Sequence, residues 1–197
     1  MQKPLSIATL LLFLLAHCAE TPQSKSAPPP TKKPSTFVPP PPVDGFDYPV
    51  GPPNAKGYYN AQVFGKNDHL GDDWNGVGGG NSDLGDPVYS IGRGKVVLAE
   101  DLQGGWGNVV RIVHNVGTVE EPAYIESLYA HLDTILIDSN DLVEKGQALG
   151  TIGNAHGIYY AHLHFEIRDS IAMPIGGGYG EETAGYLDPT AFLEGWK

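Results

Sequence analysis

The stretch AHLHFEIR, residues 161 to 168, alternates Leu163, Phe165 and Ile167 with His162, His164 and Glu166. Successive side chains of a β-strand point to opposite faces, so the apolar three should pack into a core while both imidazoles and the carboxylate share the other face. Two neighbouring imidazoles repel when both are cationic, whereas two neutral ones can share a metal ion or a proton-transfer task. A strand of this kind needs a sheet with one dry face and one reactive face. The chain from about Asp44 onward supplies the material: short β-branched runs separated by glycine, with no long helical periodicity, which reads as all-β. Expected strands are 86 to 91, 94 to 101, 107 to 115, 123 to 132, 147 to 153 and 161 to 169, with a charged turn at Lys145 and Gly146. Only DPTAFLEGW, 188 to 196, suggests a helical turn, with Asp188 as N-cap and Pro189 at its first position. No period repeats along the chain, which argues against solenoids and propellers.

Beyond His17, the histidines are 69, 114, 131, 156, 162 and 164. His69 lies in KNDHLGDDWNG, where Asp73 follows four residues later through a glycine-containing turn, so an imidazole and a carboxylate could converge on one ion. Joined to the HxH strand, this pair offers two nitrogens and one oxygen, the donor set of a catalytic zinc with a fourth position open to water. His114 ends a strand and fits a structural role, and His156 reads as a solvated loop residue. Asp72 reads as a turn residue or a nearby hydrogen-bond acceptor. Glu166 either orients a ligand imidazole or lies exposed at a strand edge.

HxxxD, YAHL at 129 to 132, KGQALGTIGN and HLHFEIR, in that order, resemble the LytM or lysostaphin type of zinc metallopeptidase, peptidase family M23. The similarity covers roughly residues 60 to 195. The resemblance implies a compact antiparallel β-sheet or barrel-sandwich with long loops and an open groove. It also implies one Zn2+ per chain held by His69, Asp73 and His164, with His162 and His131 acting on the substrate. Physically, a neutral His162 would accept the proton of the attacking water and pass it to the leaving amine, and a protonated or donating His131 would help to stabilise the oxyanion. On its strand, His131 is expected to share a face with Tyr129, Ser127 and Ile125. Many family members have a hydrophobic residue where this chain has Asp72, and GVGGGNSDLG, 76 to 85, enlarges the following loop into a candidate groove wall. EEPAY, 120 to 124, and 171 to 185 are further candidate rim loops.

Residues 5 to 16 form an apolar run too short to span a bilayer comfortably, followed by the only cysteine, Cys18. LLAHC resembles a bacterial lipoprotein signal, although His17 stands where that pattern has a small residue. The proline-rich segment that follows cannot form a core and reads as an extended, disordered spacer. The expected organisation is therefore a signal peptide over 1 to 17, a linker over 18 to 43 and an M23-like domain over 44 to 197. A formal charge of −11 without a basic run argues against a nucleic-acid partner. The leading expectation is an exported, lipid-anchored zinc endopeptidase acting on peptidoglycan peptides in the cell envelope. A non-catalytic LytM-type module that binds the wall or activates an amidase is the alternative; a lipoyl- or biotinyl-carrier barrel, suggested by VEKGQALGTIG alone, lacks a modifiable lysine in the right turn.

Overall fold

The structure is a computed structural model and describes residues 37 to 196. The signal run, Cys18 and the linker as far as residue 36 lie outside the described residues. Eleven short strands are formed: β1 (Tyr58–Gln62), β2 (Asp72–Gly76), β3 (Pro87–Tyr89), β4 (Gly94–Asp101), β5 (Asn108–Asn115), β6 (Tyr124–Leu132), β7 (Thr134–Ile135), β8 (Leu142–Val143), β9 (Ala148–Thr151), β10 (Leu163–Arg168) and β11 (Tyr186–Leu187). Among the described residues one α-helix, α1 (Pro189–Glu194), follows β11, and Asp188 caps it by accepting from the Ala191 amide at 3.0 Å. Among the described residues no helix is long and apolar enough to cross a membrane.

The larger sheet is antiparallel in the order β1-β2-β10-β6-β5-β4-β8, with β11 added beside the end of β10. A small antiparallel sheet, β3-β9-β7, packs on it. The core lies between the two. Val96, Ile112, Tyr129, Phe165 and Ile167 of the large sheet meet Val88, Leu149 and Ile152 from the region of the small one, all fully buried. Each such side chain contributes roughly 1.5–3 kcal/mol by leaving water. The alternation expected along residues 161 to 168 is thus realised: Leu163, Phe165 and Ile167 enter this core, and the opposite face of β10 carries His164 and Glu166.

Several short strands were not visible in the sequence, and β2 is the one that matters. Asp73 does not sit in a turn; it lies in a strand paired with β10, in the register His164↔Asp73. DDWNG has no β-branched residue to signal extension, and it is held by its neighbours β1 and β10. Gly71, just before it, permits the approach: a Cβ there would lie 2.5 Å from the Phe165 carbonyl oxygen.

At the other end, residues assigned to the linker pack on the domain. Pro40 is buried, Pro42 bridges Asn115 in parallel, and the Val43 amide donates to the Asn115 carbonyl at 2.8 Å. The EEPAY segment lies here, where Pro122 and Tyr124 face Pro39 to Pro42 across a shallow pocket. It does not rim the cleft, because the β5–β6 turn projects from the end of the sheet away from His131.

Candidate metal centre and cleft

His69, Asp73 and His164 converge. His69 Nε2 lies 3.0 Å from His164 Nδ1 and 3.2 Å from Asp73 Oδ1, and His164 Nδ1 lies 3.0 Å from the same carboxylate oxygen. Asp73 and His164 meet because they are cross-strand partners. His69 is brought in by the turn before β2, which is fixed to the loop ahead of β11: the Leu70 amide donates to the Gly178 carbonyl and the Gly180 amide to the Asp68 carbonyl. Three donor atoms around one ion at zinc-ligand distances would sit roughly 3.4 Å apart at tetrahedral angles. The observed triangle fits such an ion with little adjustment, and the chemistry of the set, two imidazole nitrogens and one carboxylate oxygen, suits zinc.

The electrostatics favour positive charge at this point. Burial works against the Asp73 charge, but hydrogen bonds from His164 and His69 outweigh it and hold the carboxyl well below the usual range. Burial alone would make His164 less basic; bonds to Asp73 and Glu166 win and raise it to about 9. Glu166 is fully buried and takes the Nε2 proton of His164 at 3.0 Å, leaving Nδ1 as the atom that faces the triangle. Glu166 therefore orients the His164 imidazole and is not at an exposed edge.

Behind Glu166 lies a set of buried charges that the sequence did not reveal. Arg168 donates to Glu166 at 2.8 Å, and Arg111 donates to Glu126 at 2.7 Å. The remaining guanidinium hydrogens reach three successive carbonyls, Met173 from Arg111, and Pro174 and Ile175 from Arg168. Glu126 accepts from the Ala172 amide. The loop that starts there runs on to Gly177, Gly178 and Tyr179, which form one wall of the cleft, and Trp106 Nε1 ties it to the opposite wall through the Gly176 carbonyl at 3.1 Å.

The cleft, about 470 Å³, opens on the triangle and is lined also by His131, His162, Trp106 and Tyr159. His131 reaches it by a route that alternation would not give. Tyr129 and Ser127, on the face expected to carry it, are fully buried, and the Tyr129 hydroxyl accepts from the Ile91 amide. Between Asn108 and Val110 the pairing with β6 slips, so that Ala130 and His131 oppose one residue of β5. His131 adopts φ +62° in this bulge, and its ring lies against those of His162 and His164, at centroid distances of 4.8 and 5.5 Å.

The two cleft imidazoles are held alike. His162 Nδ1 donates to the Tyr160 carbonyl at 2.8 Å, and His131 Nδ1 donates to the Trp106 carbonyl at 3.3 Å, so each neutral ring presents Nε2 as an acceptor. His162 Nε2 is 3.8 Å from Asp73 Oδ1. Burial, then the neighbouring His164 and His162, push His131 down to about 3.

The other singled-out residues fall outside this group. His114 is buried between the Arg93 carbonyl and Ser127 Oγ. His156 is exposed and pairs with Asp101. Asp72 points to the other face of β2, where it accepts from the Phe64 amide and the Thr190 hydroxyl.

A two-sheet antiparallel fold with an open cleft over a His-Asp-His triangle and two further imidazoles defines a metallopeptidase-like architecture. The chain belongs to peptidase family M23, whose family model matches residues 73–176. Lipoprotein NlpD of Yersinia enterocolitica is 38% identical over 84 residues, covering 43% of this chain and 78% of that protein. Over the same length, peptidoglycan DD-endopeptidase ShyB of Vibrio cholerae is 36% identical and murein hydrolase activator NlpD of Salmonella dublin 37%, but the chain spans only 18% and 20% of those proteins. A crystal structure of a zinc-containing peptidase from Vibrio cholerae matches with a TM-score of 0.50 and 29% identity, over 64% of this chain and 37% of that one.

Proposed function

We propose that this chain is an exported zinc metalloendopeptidase that hydrolyses peptide bonds in peptidoglycan. The observation that carries the reading is the convergence of His69, Asp73 and His164 to within 3.2 Å of one another beneath a cleft that also holds His131 and His162. In this reading those three hold the metal and residues 44 to 197 form the peptidase domain. Zinc bound there would polarise the scissile carbonyl and acidify a water molecule. His162, whose Nε2 is left as an acceptor by its bond to Tyr160, takes the proton of the attacking water and returns it to the leaving amine, a role typically contributing about 10²- to 10⁴-fold. His131 would support the oxyanion through Nε2 only as imidazolium, because Nδ1 is given to Trp106; the resting ring, pushed down to about 3, is neutral and would gain that hydrogen only as negative charge develops beside it. No Lys or Arg lines the cleft or the groove beside it, so nothing there receives a terminal carboxylate, which favours an interior bond over a chain end. Lipidation at Cys18 and the linker would hold the domain away from a membrane in the cell envelope, in keeping with relatives called lipoproteins.

The likeness to a murein hydrolase activator favours a second reading, in which the domain binds the wall or switches on an amidase without cutting. Retention of all five cleft groups supports the first. The test is metal analysis of the purified protein together with mass spectrometry of muropeptides treated with the wild type and with His162→Ala. One zinc per chain and new peptide fragments from the wild type alone are expected. Bound zinc with no new fragments from the wild type would overturn hydrolysis in favour of the activator.

A further inference from the structure

Beside the cleft, and continuous with it through Tyr159 and His162, runs a second groove of about 720 Å³ lined by Asn75, Asn81 and Asn154. Each of the three carboxamides is pinned along one edge by backbone. Asn75 Nδ2 donates to the Ala161 carbonyl at 3.2 Å, Asn81 Oδ1 accepts from the Ala161 amide at 2.8 Å, and Asn154 Oδ1 accepts from the Gly157 amide at 2.8 Å. Backbone partners leave no freedom in which end is oxygen and which nitrogen. The edges not so engaged are an acceptor, Asn75 Oδ1, and two donors, Asn81 Nδ2 and Asn154 Nδ2. No charged residue lines this groove.

We propose that this groove is a binding subsite that reads the main chain of an uncharged peptide segment next to the bond to be cut, with Asn81 and Asn154 donating to its carbonyls and Asn75 accepting from its amide. The proposal rests on the peptidase reading of the adjoining cleft and deepens it. Peptide backbone is the ligand whose alternating donors and acceptors match two fixed donors and one fixed acceptor, and holding three amides in place beforehand reduces the ordering cost of binding. The lack of lysine and arginine argues against segments bearing free carboxylates, since a buried or half-buried carboxylate without a cation is costly. Asn81 comes from the enlarged loop 76 to 85, which gives that departure from the common family pattern a use: it closes one side of the groove.

The test needs the zinc-loaded full chain and N-acetyl-tetraalanine amide as probe, with the same peptide bearing a free carboxylate and chitotetraose as comparisons. The side-chain amide signals of Asn81 and Asn154 are followed by NMR at the start of each titration, and cleavage is followed in the same sample. The neutral peptide should move both signals, and the carboxylate form should bind more weakly. Asn81→Asp and Asn154→Asp keep the oxygen that each backbone amide needs while exchanging the groove-side donor for an acceptor, so each should weaken binding about 5- to 10-fold with the fold intact. Unmoved asparagine signals at saturating peptide, Asp variants that bind as well as the parent, or signals that answer to chitotetraose and not to the peptide would each overturn the subsite. Signals that move while muropeptides incubated with the same zinc-loaded protein stay uncut would leave the subsite standing and overturn the hydrolase reading instead.

Discussion

Replacing Glu166 by glutamine should separate two things that one carboxylate does. Arg111, Glu126, Arg168 and Glu166 form a neutral set of two cations and two anions with little or no exposure, and Arg168 has only a distant second anion, Glu126 Oε1 at 3.9 Å. Glu166→Gln keeps the shape and one acceptor oxygen but leaves a net positive charge in the interior. Removing one partner of a buried pair costs about 3–5 kcal/mol, and with the acceptor retained the lower end, about 3 kcal/mol, is expected. For a domain of this size that lowers Tm by about 6–12 °C in zinc-free protein. The second consequence is separate: His164 Nε2 loses its charged acceptor, and zinc affinity should fall about 10- to 100-fold. Thermal unfolding of the zinc-free chain reads the first effect, and competition against a fluorescent chelator reads the second. A variant with Tm within about 2 °C of the parent and zinc affinity within about twofold would refute the claim that Glu166 joins the charge set to the metal centre.

Three further outcomes follow from the same geometry. His164→Ala and Asp73→Ala should each abolish stoichiometric zinc binding, measured by elemental analysis after dialysis, whereas His131→Ala should keep its zinc and lose about 10²-fold or more in kcat. Gly71→Ala should cost about 3 kcal/mol in urea unfolding, because its methyl group would press on the Phe165 carbonyl and would stand 3.1 Å from His164 Cε1. Acid should destabilise the fold through His114, which burial pushes down to about 4 from an ordinary 6.5. The ring stays neutral when folded and takes up a proton on unfolding, so its contribution is complete above about pH 6.5 and is lost as pH falls towards 4, a drop of about 3 kcal/mol at most. The fall in urea midpoint between pH 7 and pH 4.5 should be smaller in His114→Gln, and an equal fall in both would contradict the assignment.

The parts of this molecule written in local pattern were legible before any coordinates. Strands β4 and β5 announce themselves by β-branched runs, β10 by its apolar alternation, and α1 by Asp188-Pro189. The His-Asp-His set was legible only because four short motifs occur in a known order; HxxxD alone gives no sign that Asp73 lies on a strand facing His164. What escaped the sequence depends on pairing between distant segments. The bulge that turns His131 into the cleft is a slip in register between β5 and β6, and no residue in YAHL marks it. Likewise, Arg111 and Glu126 lie on neighbouring strands and look like ordinary surface charges until both faces of the sheet are covered. Asp72, expected in a turn or as an acceptor near the site, lies instead in β2 and serves Phe64 and Thr190, the latter 118 positions away.

The three carbonyls of Met173, Pro174 and Ile175 that receive the guanidinium hydrogens place a restriction on anyone who wishes to redesign this cleft. A foreign segment grafted between Ala172 and Tyr179 to alter selectivity would have to offer acceptors at those same points. Otherwise two buried cations would be left unsolvated, and the disturbance would travel through Glu166 to the imidazole at the triangle. A change to this wall would thus be felt at the triangle, while the asparagine-lined side hangs on no such charges and is the more forgiving place to begin.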